Sequence, residues 1–485
     1  MDQLNAPPEQ QGQKVQTKIR RLFSTLKLKK PKQLKPTVSD SDVEEHLRSA
    51  HSQPAKYGNW GPVLDIPDAG LIILALNLIP GADDDEITVI GKTKGQNNAV
   101  YILQYGQGLK ICIRIPACGW GSRWTAADAA ALRNVALTMR YVKKHTRLPV
   151  PSMFAYDISF NNAINAPYIA MEFMEGKPLE KAWDDDSGKV SLETRRQNIL
   201  RTLASSAAEF RSLRFDKLGA ICFPPDDEEH PYVGPTYNAN FGKGRDEDFV
   251  PEAHFQDVED CSKLYFQRFL QSAREYAAAY FGVGSESFIE VEGLYRIFSI
   301  MLEEFPWTEN KGGAGETFFL APPDFGWQNI LADDCGNITG ILGWDRPVTL
   351  AGFLGWARFP DYLAKDWIQG LAWPRLCSYD GLTMDRYRGD YARYLSQACR
   401  VDDDDSSSHK YTHKSHLYYA ILISLAQEEM MKGLLDRMIP HVLPGVIRSD
   451  MCREIGKNGL RPEDEEHLRN RLQEFLGYNQ DFNLL

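Results

Sequence analysis

Asp324 and Asn329, an acid and a carboxamide five residues apart, are the pair in this chain whose types and spacing bear most directly on chemistry. The runs around them predict a loop. An apolar stretch at 318–320 precedes it, and a short hairpin follows, with strands at Ile330-Leu331 and 338–342 and a turn over 333–337. From such a loop both side chains can face one cleft. A carboxylate there can accept a hydroxyl proton and a carboxamide oxygen can ligate Mg2+, two of the parts that phosphoryl transfer uses. The spacing is common, so it identifies no site by itself.

Other candidates weaken on inspection. Gly91-Lys92-Thr93 has the tail of a P-loop, but Glu86 stands where that motif requires its first glycine. His409, His413 and His416 have metal-like spacing, yet they follow four aspartates and three serines and are read as an exposed linker. The acid runs at 184–186 and 226–229 offer charge to a cationic ligand, although such runs are usually solvated loops. The eight cysteines are scattered with no Cys-x-x-Cys pair, which reads as free thiols in a reducing compartment.

The elements that must position these residues fall into two groups. A buried helix is expected at 71–79. Residues 86–105 read as strand, glycine turn, strand, and Gln107-Gly108 turns the chain into a third strand over 109–116. On that strand Ile111, Ile113 and Ile115 share one face, while Cys112 and Arg114 share the other. A helix over 126–145 ends before the prolines at 149 and 151, and residues 166–173 form another strand. After Gly176 helices dominate, at 191–212, 261–280 and 290–304, interrupted by one β excursion at 318–344. The expected fold class is α+β: a small β lobe and a larger helical lobe joined near Glu175-Gly176.

The stretch APPDFGWQNILADDCGNITGILGWD at 321–345 resembles the catalytic block of the aminoglycoside phosphotransferase/choline kinase-like family, and its fungal members most. Members of that family carry His-x-Asp-x-x-x-x-Asn and, fourteen residues past the Asn, the Asp of Ile-Asp-Trp-Asp/Glu. The resemblance extends to ICIRIP at 111–116, TRLPVP at 146–151, APYIAMEFMEGKPL at 166–179 and GFLGWARFPDYLAKDW at 352–367, so it covers roughly residues 86–375. It implies a two-lobed protein-kinase-like fold, with a nucleotide lobe at 57–175 and a helical lobe at 176–485. Asp324 becomes the base and Asn329 a metal ligand. Arg114 stands for the nucleotide-binding Lys, and Met171, Glu172, Phe173 and Met174 face the nucleobase. Residues 91–98 become the turn that covers the phosphates. Together these residues would line one cleft, with ATP or GTP and Mg2+ as cofactors and a small-molecule hydroxyl as acceptor, a cationic one if the acid runs contribute.

The departures from the pattern bear on activity. Pro322 replaces the histidine that orients the catalytic loop, and Gly343 replaces the main Mg2+-binding Asp. Asn134-Val135 stands where a helix Glu pairs with the nucleotide-binding Lys. Arg114 remains a permanent cation and can still hold phosphates. Asp345, two residues past Gly343, is the substitute metal ligand at hand. On a strand it would share the face of Gly343 but sit ~6.6 Å away. Two readings follow: a phosphotransferase, or a catalytically impaired relative that binds nucleotide, ligand or partner. Both cannot hold if Gly343 and Pro322 matter.

Composition bounds the rest. At ~150 residues per domain, 485 residues make two lobes with extensions or three domains, and 43% hydrophobic with 25% charged residues excludes a wholly disordered chain. The most apolar uncharged stretch, 69–82, is too short to span a bilayer. Net charge is −11, but residues 1–39 hold nine Lys/Arg against Asp2 and Glu9, leaving −18 on the remainder. An acidic body is not a nucleic-acid binder. Within the tail expected at 1–56, Ile19, Leu22, Phe23 and Leu26 recur at helical spacing among basic residues. That pattern fits weak membrane-surface contact or a mitochondrial presequence. Asp2 and Glu9 sit badly with a presequence, so the expectation is a solubilising tail on a cytoplasmic protein, with the mitochondrion as the alternative.

Overall fold

A computed structural model describes residues 58–79, 86–95, 97–187, 189–238, 254–256, 258–307, 316–321, 324–367, 381–399, 407–425 and 427–477. The basic segment read at 1–56 and Pro322 lie outside these residues. The chain divides into two compact units: one runs to Arg140 and resumes over Pro151–Met174, and the other takes Tyr141–Val150 and everything from Glu175.

The first unit is built on a five-stranded antiparallel sheet. Its strands are β1 (Ile87–Lys94), β2 (Asn98–Tyr105), β3 (Lys110–Pro116), β4 (Met153–Asp157) and β5 (Tyr168–Glu172), in the order β1-β2-β3-β5-β4. Helix α1 (Asp68–Leu78) covers one face. The alternation on β3 appears as expected: Ile111, Ile113 and Ile115 are fully buried in the cluster that holds Leu71, Leu74 and Ala75 of α1. Two tyrosines of β2 tie helix to sheet. Tyr101 donates to Val63 O at 2.8 Å, and Tyr105 donates to Ala75 O at 2.7 Å. The helix expected at 71–79 starts at Asp68 and is buried on one face, with Ile73 half exposed on the other. Helix α2 (Ala126–His145) starts on a reciprocal cap in which Thr125 N–H donates to Asp128 and Asp128 N–H donates to Thr125 Oγ1.

The second unit is mainly helical. It contains β6 (Lys177–Pro178), α3 (Leu179–Ala182), α4 (Leu192–Glu209), α5 (Ser262–Phe281) and α6 (Glu286–Glu303). Further along come α7 (Asp361–Ala364), α8 (Gly381–Cys399), α9 (Ser415–Ser424), α10 (Glu428–Val442), α11 (Arg448–Asn458) and α12 (Pro462–Leu476). Ser191 and Ser285 cap α4 and α6, accepting from the N–H groups of Thr194 and Phe288. The core draws Leu294, Phe298 and Met301 of α6 together with Ile421, Leu435, Cys452 and Leu472.

The single β excursion expected here is corrected. Besides the hairpin of β13 (Ile330–Ala332) and β14 (Ile338–Ile341) and a two-stranded ribbon of β10 (Thr236–Asn238) and β11 (His254–Gln256), the unit holds a second five-stranded sheet. That sheet joins β7 (Arg214–Phe215), β8 (Gly219–Cys222), β9 (Tyr232–Gly234), β12 (Phe318–Ala321) and β15 (Val348–Ala351) in the order β7-β12-β15-β8-β9. Strands of two to four residues are too short to show a period of two. The class is α+β, with a β-rich unit followed by a helical one. Among the described residues no helix is long and apolar enough to cross a membrane.

Candidate functional site

Strand β12 delivers the chain to Asp324, and a short 3-10 turn over Trp327–Asn329 returns it to β13. Asp324 is exposed, and its carboxylate accepts from Gln328 Nε2 at 3.1 and 3.2 Å. Asn329 Nδ2 donates to the backbone oxygen of Asp324 at 3.3 Å, and Asn329 O accepts from Leu342 N–H at 2.7 Å. The loop is therefore pinned to the far end of the hairpin. Gly343 follows at φ +78°, in the left-handed region. A Cβ there would lie 2.6 Å from Asn329 Nδ2, 2.8 Å from Asn329 Cγ and 3.0 Å from Asp324 O. The structure brings Asp324, Asn329 and Gly343 together, with the Asn329 amide in the space a side chain at 343 would enter.

Two sequence expectations change at this point. The strand stops at Ile341 rather than 342: Leu342 makes the last bond to Asn329, and the chain turns at Gly343. Residues 343 and 345 are then not strand neighbours on one face, and the ~6.6 Å spacing does not apply to them. Asp345 is half-buried, with Arg346 at φ +56° after it.

The donor set is one carboxylate short of the Mg2+ site that the family resemblance implies. Gly343 has no side-chain ligand, and the Asn329 amide nitrogen points at a backbone oxygen. Among the described residues no group of three or more His, Cys, Asp or Glu side chains could hold a metal ion.

The hairpin turn that backs the loop is held by Asp333. Its carboxylate accepts from the N–H groups of Cys335 (2.9 Å) and Asn337 (2.8 Å) and from Asn337 Nδ2 (3.0 Å). Burial pushes this carboxyl upward, and the hydrogen bonds outweigh it and leave the group below the ordinary range.

The loop's aromatic anchors were missed in the sequence. Trp327 stacks on Tyr362 with centroids 4.5 Å apart, meets Trp183 edge-on at 6.3 Å, and has the Lys365 ammonium 6.0 Å away. Phe325 is buried under Arg358. Three partners of these anchors, Arg358, Tyr362 and Lys365, fall within residues 352–367.

The first unit holds the other expected site residues. Arg114 is 9% exposed on β3, opposite Val100 of β2 and Ile169 of β5, on the sheet face away from the isoleucines. Cys112 shares the face of Arg114 and lies opposite Met171, while Glu172 lies opposite Ile111. Burial raises the Cys112 thiol to about 12, so it stays protonated. Glu172 is committed to structure: Oε2 accepts from Ser152 N at 3.1 Å and Oγ at 2.8 Å. Phe173 N–H donates to Lys110 O, and the Lys110 ammonium sits 5.1 Å over the Phe173 ring. Met171 and Met174 are half-buried.

The exposed linker at the three histidines is corrected. Residues 407–414 form a 3-10 helix running into α9, and His416 is buried against Phe359 and Trp367 at 5.8 and 6.2 Å. Burial, with Arg388, Lys414 and His413 nearby, holds its pKa well below the ordinary value, so it is a neutral core residue. The acid runs are largely paired. Asp184 meets Arg196, Asp185 meets Lys177, Asp227 meets His230 and Glu229 meets Lys144. Arg196, Lys177 and Lys144 are the permanent cations in these pairs, against seven carboxylates in the two runs.

No family model matches the chain. It is similar to altered inheritance of mitochondria protein 9, mitochondrial, of Candida albicans (strain SC5314), 28% identical over 182 residues, which are 35% of this chain and 28% of that protein. The match thus spans under a third of the relative's length. Among solved structures, a putative aminoglycoside phosphotransferase from Ralstonia eutropha is 12% identical with a TM-score of 0.40, covering 84% of this chain and 98% of the other. A thermostable mutant of aminoglycoside phosphotransferase APH(4)-Ia, in ternary complex with AMP-PNP and hygromycin B, is 13% identical with a TM-score of 0.37, covering 81% and 95%.

Proposed function

We propose that this chain is a kinase-like protein of the aminoglycoside phosphotransferase type that binds a nucleoside triphosphate and a small hydroxyl-bearing molecule, and whose Mg2+-dependent phosphoryl transfer is impaired. One observation carries the reading: Gly343, at the position of the family's metal-binding carboxylate, lies against the Asn329 amide, while Asp324 keeps its place on the loop. Phosphoryl transfer depends on positioning and on neutralising charge at the β- and γ-phosphates. A site that keeps the base and loses the carboxylate retains binding and loses most of its rate. In this reading Asp324 faces the acceptor hydroxyl, Arg114 holds phosphate, and Met171, Glu172, Phe173 and Met174 edge the base. Asn329 and Asp345 are the remaining oxygen donors for a cation.

The test is a titration of the full chain with ATP and with GTP, each with Mg2+ and with chelator, alongside a transfer assay with an aminoglycoside acceptor. The expected result is nucleotide binding that shifts by less than about threefold when Mg2+ is removed, with turnover well below the ~1–100 s−1 of active kinases. Failure to bind either nucleotide under both conditions would sink the reading. Kinase-like turnover would return the chain to the active-enzyme reading.

The relative's name speaks of mitochondria, and residues 1–39 carry nine Lys/Arg with apolar residues at helical spacing. These support a mitochondrial address over the cytoplasmic one. A reporter fused to residues 1–40 should enter isolated mitochondria in a potential-dependent way, and a reporter that stays outside counts against the address.

A further inference from the structure

The loop that carries Asp324 has Pro322 where the family it resembles has a loop-orienting histidine, so its position must be set by other groups. Within the second unit those groups lie beneath it. Arg358 is 3% exposed, and its guanidinium stands 5.7 Å from the Phe325 ring centroid and 4.3 Å from that of Tyr419. Its Nη1 bonds the Asp361 carboxylate, which also shares a hydrogen bond with Tyr419. Asp361 in turn reaches the loop through its backbone, donating to Phe325 O at 3.1 Å. The space behind Phe325, bounded in part by Ala321, Trp356 and Arg358, is about 10 Å³, room for one water at most. Asp324 is close enough for its charge to act on both Asp361 and Tyr419.

We infer that Arg358 is the positioning residue of the Asp324 loop, clamping Phe325 from below and holding Asp361 where its backbone N–H grips the loop. The chemistry asks for arginine. A planar guanidinium can stack on two aromatic rings while keeping donors in its plane for a carboxylate, which an ammonium cannot do. The clamp fixes the residue just after Asp324, and Trp327 stacked on Tyr362 fixes the next turn, so Asp324 is held from its C-terminal side. The inference rests on the reading of this loop as the acceptor-facing one, although the clamp itself can be measured without a ligand.

The experiment follows amide hydrogen exchange of residues 324–330 in the full chain, against amides of α6 and β15 as internal references, in wild type, Arg358→Lys, Arg358→Met and Tyr419→Phe. Arg358→Met should speed exchange in 324–330 at least tenfold beyond any change in the reference amides. Arg358→Lys should recover part of that protection, because it keeps a cation over Phe325. Tyr419→Phe, which removes only a hydroxyl, covers the case in which Arg358→Met fails to fold, and should loosen the loop several-fold at an unchanged melting temperature. Loop exchange that tracks the reference amides in every variant overturns the inference and leaves Arg358 a packing residue. If wild type binds no nucleotide while the variants loosen the loop, the functional reading fails and the clamp stands. If nucleotide binds and the loop is indifferent to Arg358 and Tyr419, the clamp alone fails.

Discussion

Alanine at Gly293 or Gly456 is expected to destabilise the helical unit more than any other single-methyl change in it. A Cβ at Gly293 would lie 1.8 Å from Cys452 O, and one at Gly456 would lie 1.8 Å from Ile289 O. In both cases the obstacle is the backbone of the opposing helix, α6 against α11, so no rotamer can relieve it and the helices must separate. Overpacking of a core usually costs about 1–3 kcal/mol, and a backbone-on-backbone clash belongs at or above the top of that range. At about 2–4 °C per kcal/mol for a large unit, each variant should lower the melting temperature by roughly 6–12 °C. Gly389 on α8 is the control: it is also inside a helix, but nothing lies within 4 Å of its would-be Cβ. Gly389→Ala should be neutral or stabilise by up to about 1 kcal/mol, through helix propensity alone. Equal melting temperatures for Gly293→Ala and Gly389→Ala would refute the close approach.

That contact joins positions more than 150 residues apart and leaves no local trace, which is why it was not legible. Where the information is local, the sequence was readable. The β1–β2–β3 meander follows from strand alternation and its glycine turns, and α2 follows from apolar periodicity between Thr125 and the prolines at 149 and 151. The hairpin after Asn329 follows from Asp333 and Gly336 between two apolar runs. The second sheet was not readable, since its strands are two to four residues long and the segments it joins pair across more than 100 residues of chain. His416 shows the same limit from the other side. An acidic, serine-rich approach reads as a linker, while burial of the histidine is decided by Phe359 and Trp367, distant in sequence.

The candidate site divides along the same line. Which residues could do chemistry was visible in their types and order, and so was a glycine at 343 where the family resemblance expects a carboxylate. How the loop is held was not, because Arg358, Asp361 and Tyr419 reach it through space, and a ring beneath a guanidinium has no sequence signature. The geometry at Gly343 was also hidden. A strand was expected there, and the backbone instead takes a left-handed turn at Gly343, just past the last bond of the hairpin, from Leu342 N–H to Asn329 O.

That turn decides what restoring the family's residue should do. Gly343→Asp is expected to raise Mg2+-dependent nucleotide affinity about tenfold to a hundredfold, the equivalent of ~1.5–3 kcal/mol for a charge-assisted contact. At φ +78° most side chains are strained, but aspartate and asparagine visit this region more readily than other L-residues. The atoms that a new Cβ meets first, Nδ2 and Cγ of Asn329, belong to a side chain held by one 3.3 Å bond, so they can move. Displacing that amide sets a carboxylate beside a carboxamide oxygen, two hard donors for a cation with room for phosphate oxygens. Gly343→Ala separates the terms: it crowds Asn329 equally and adds no ligand, so it should lose stability and gain no affinity. The measurement is nucleotide titration of wild type and both variants, with Mg2+ and with chelator. Turnover should recover less than affinity, because position 322 remains proline and position 134 supplies Asn where the family resemblance expects Glu. Wild type that already binds Mg2+-nucleotide tightly, with Gly343→Asp changing nothing, would mean another carboxylate, Asp345 first, carries the cation. The impaired-transfer reading would then lose its support.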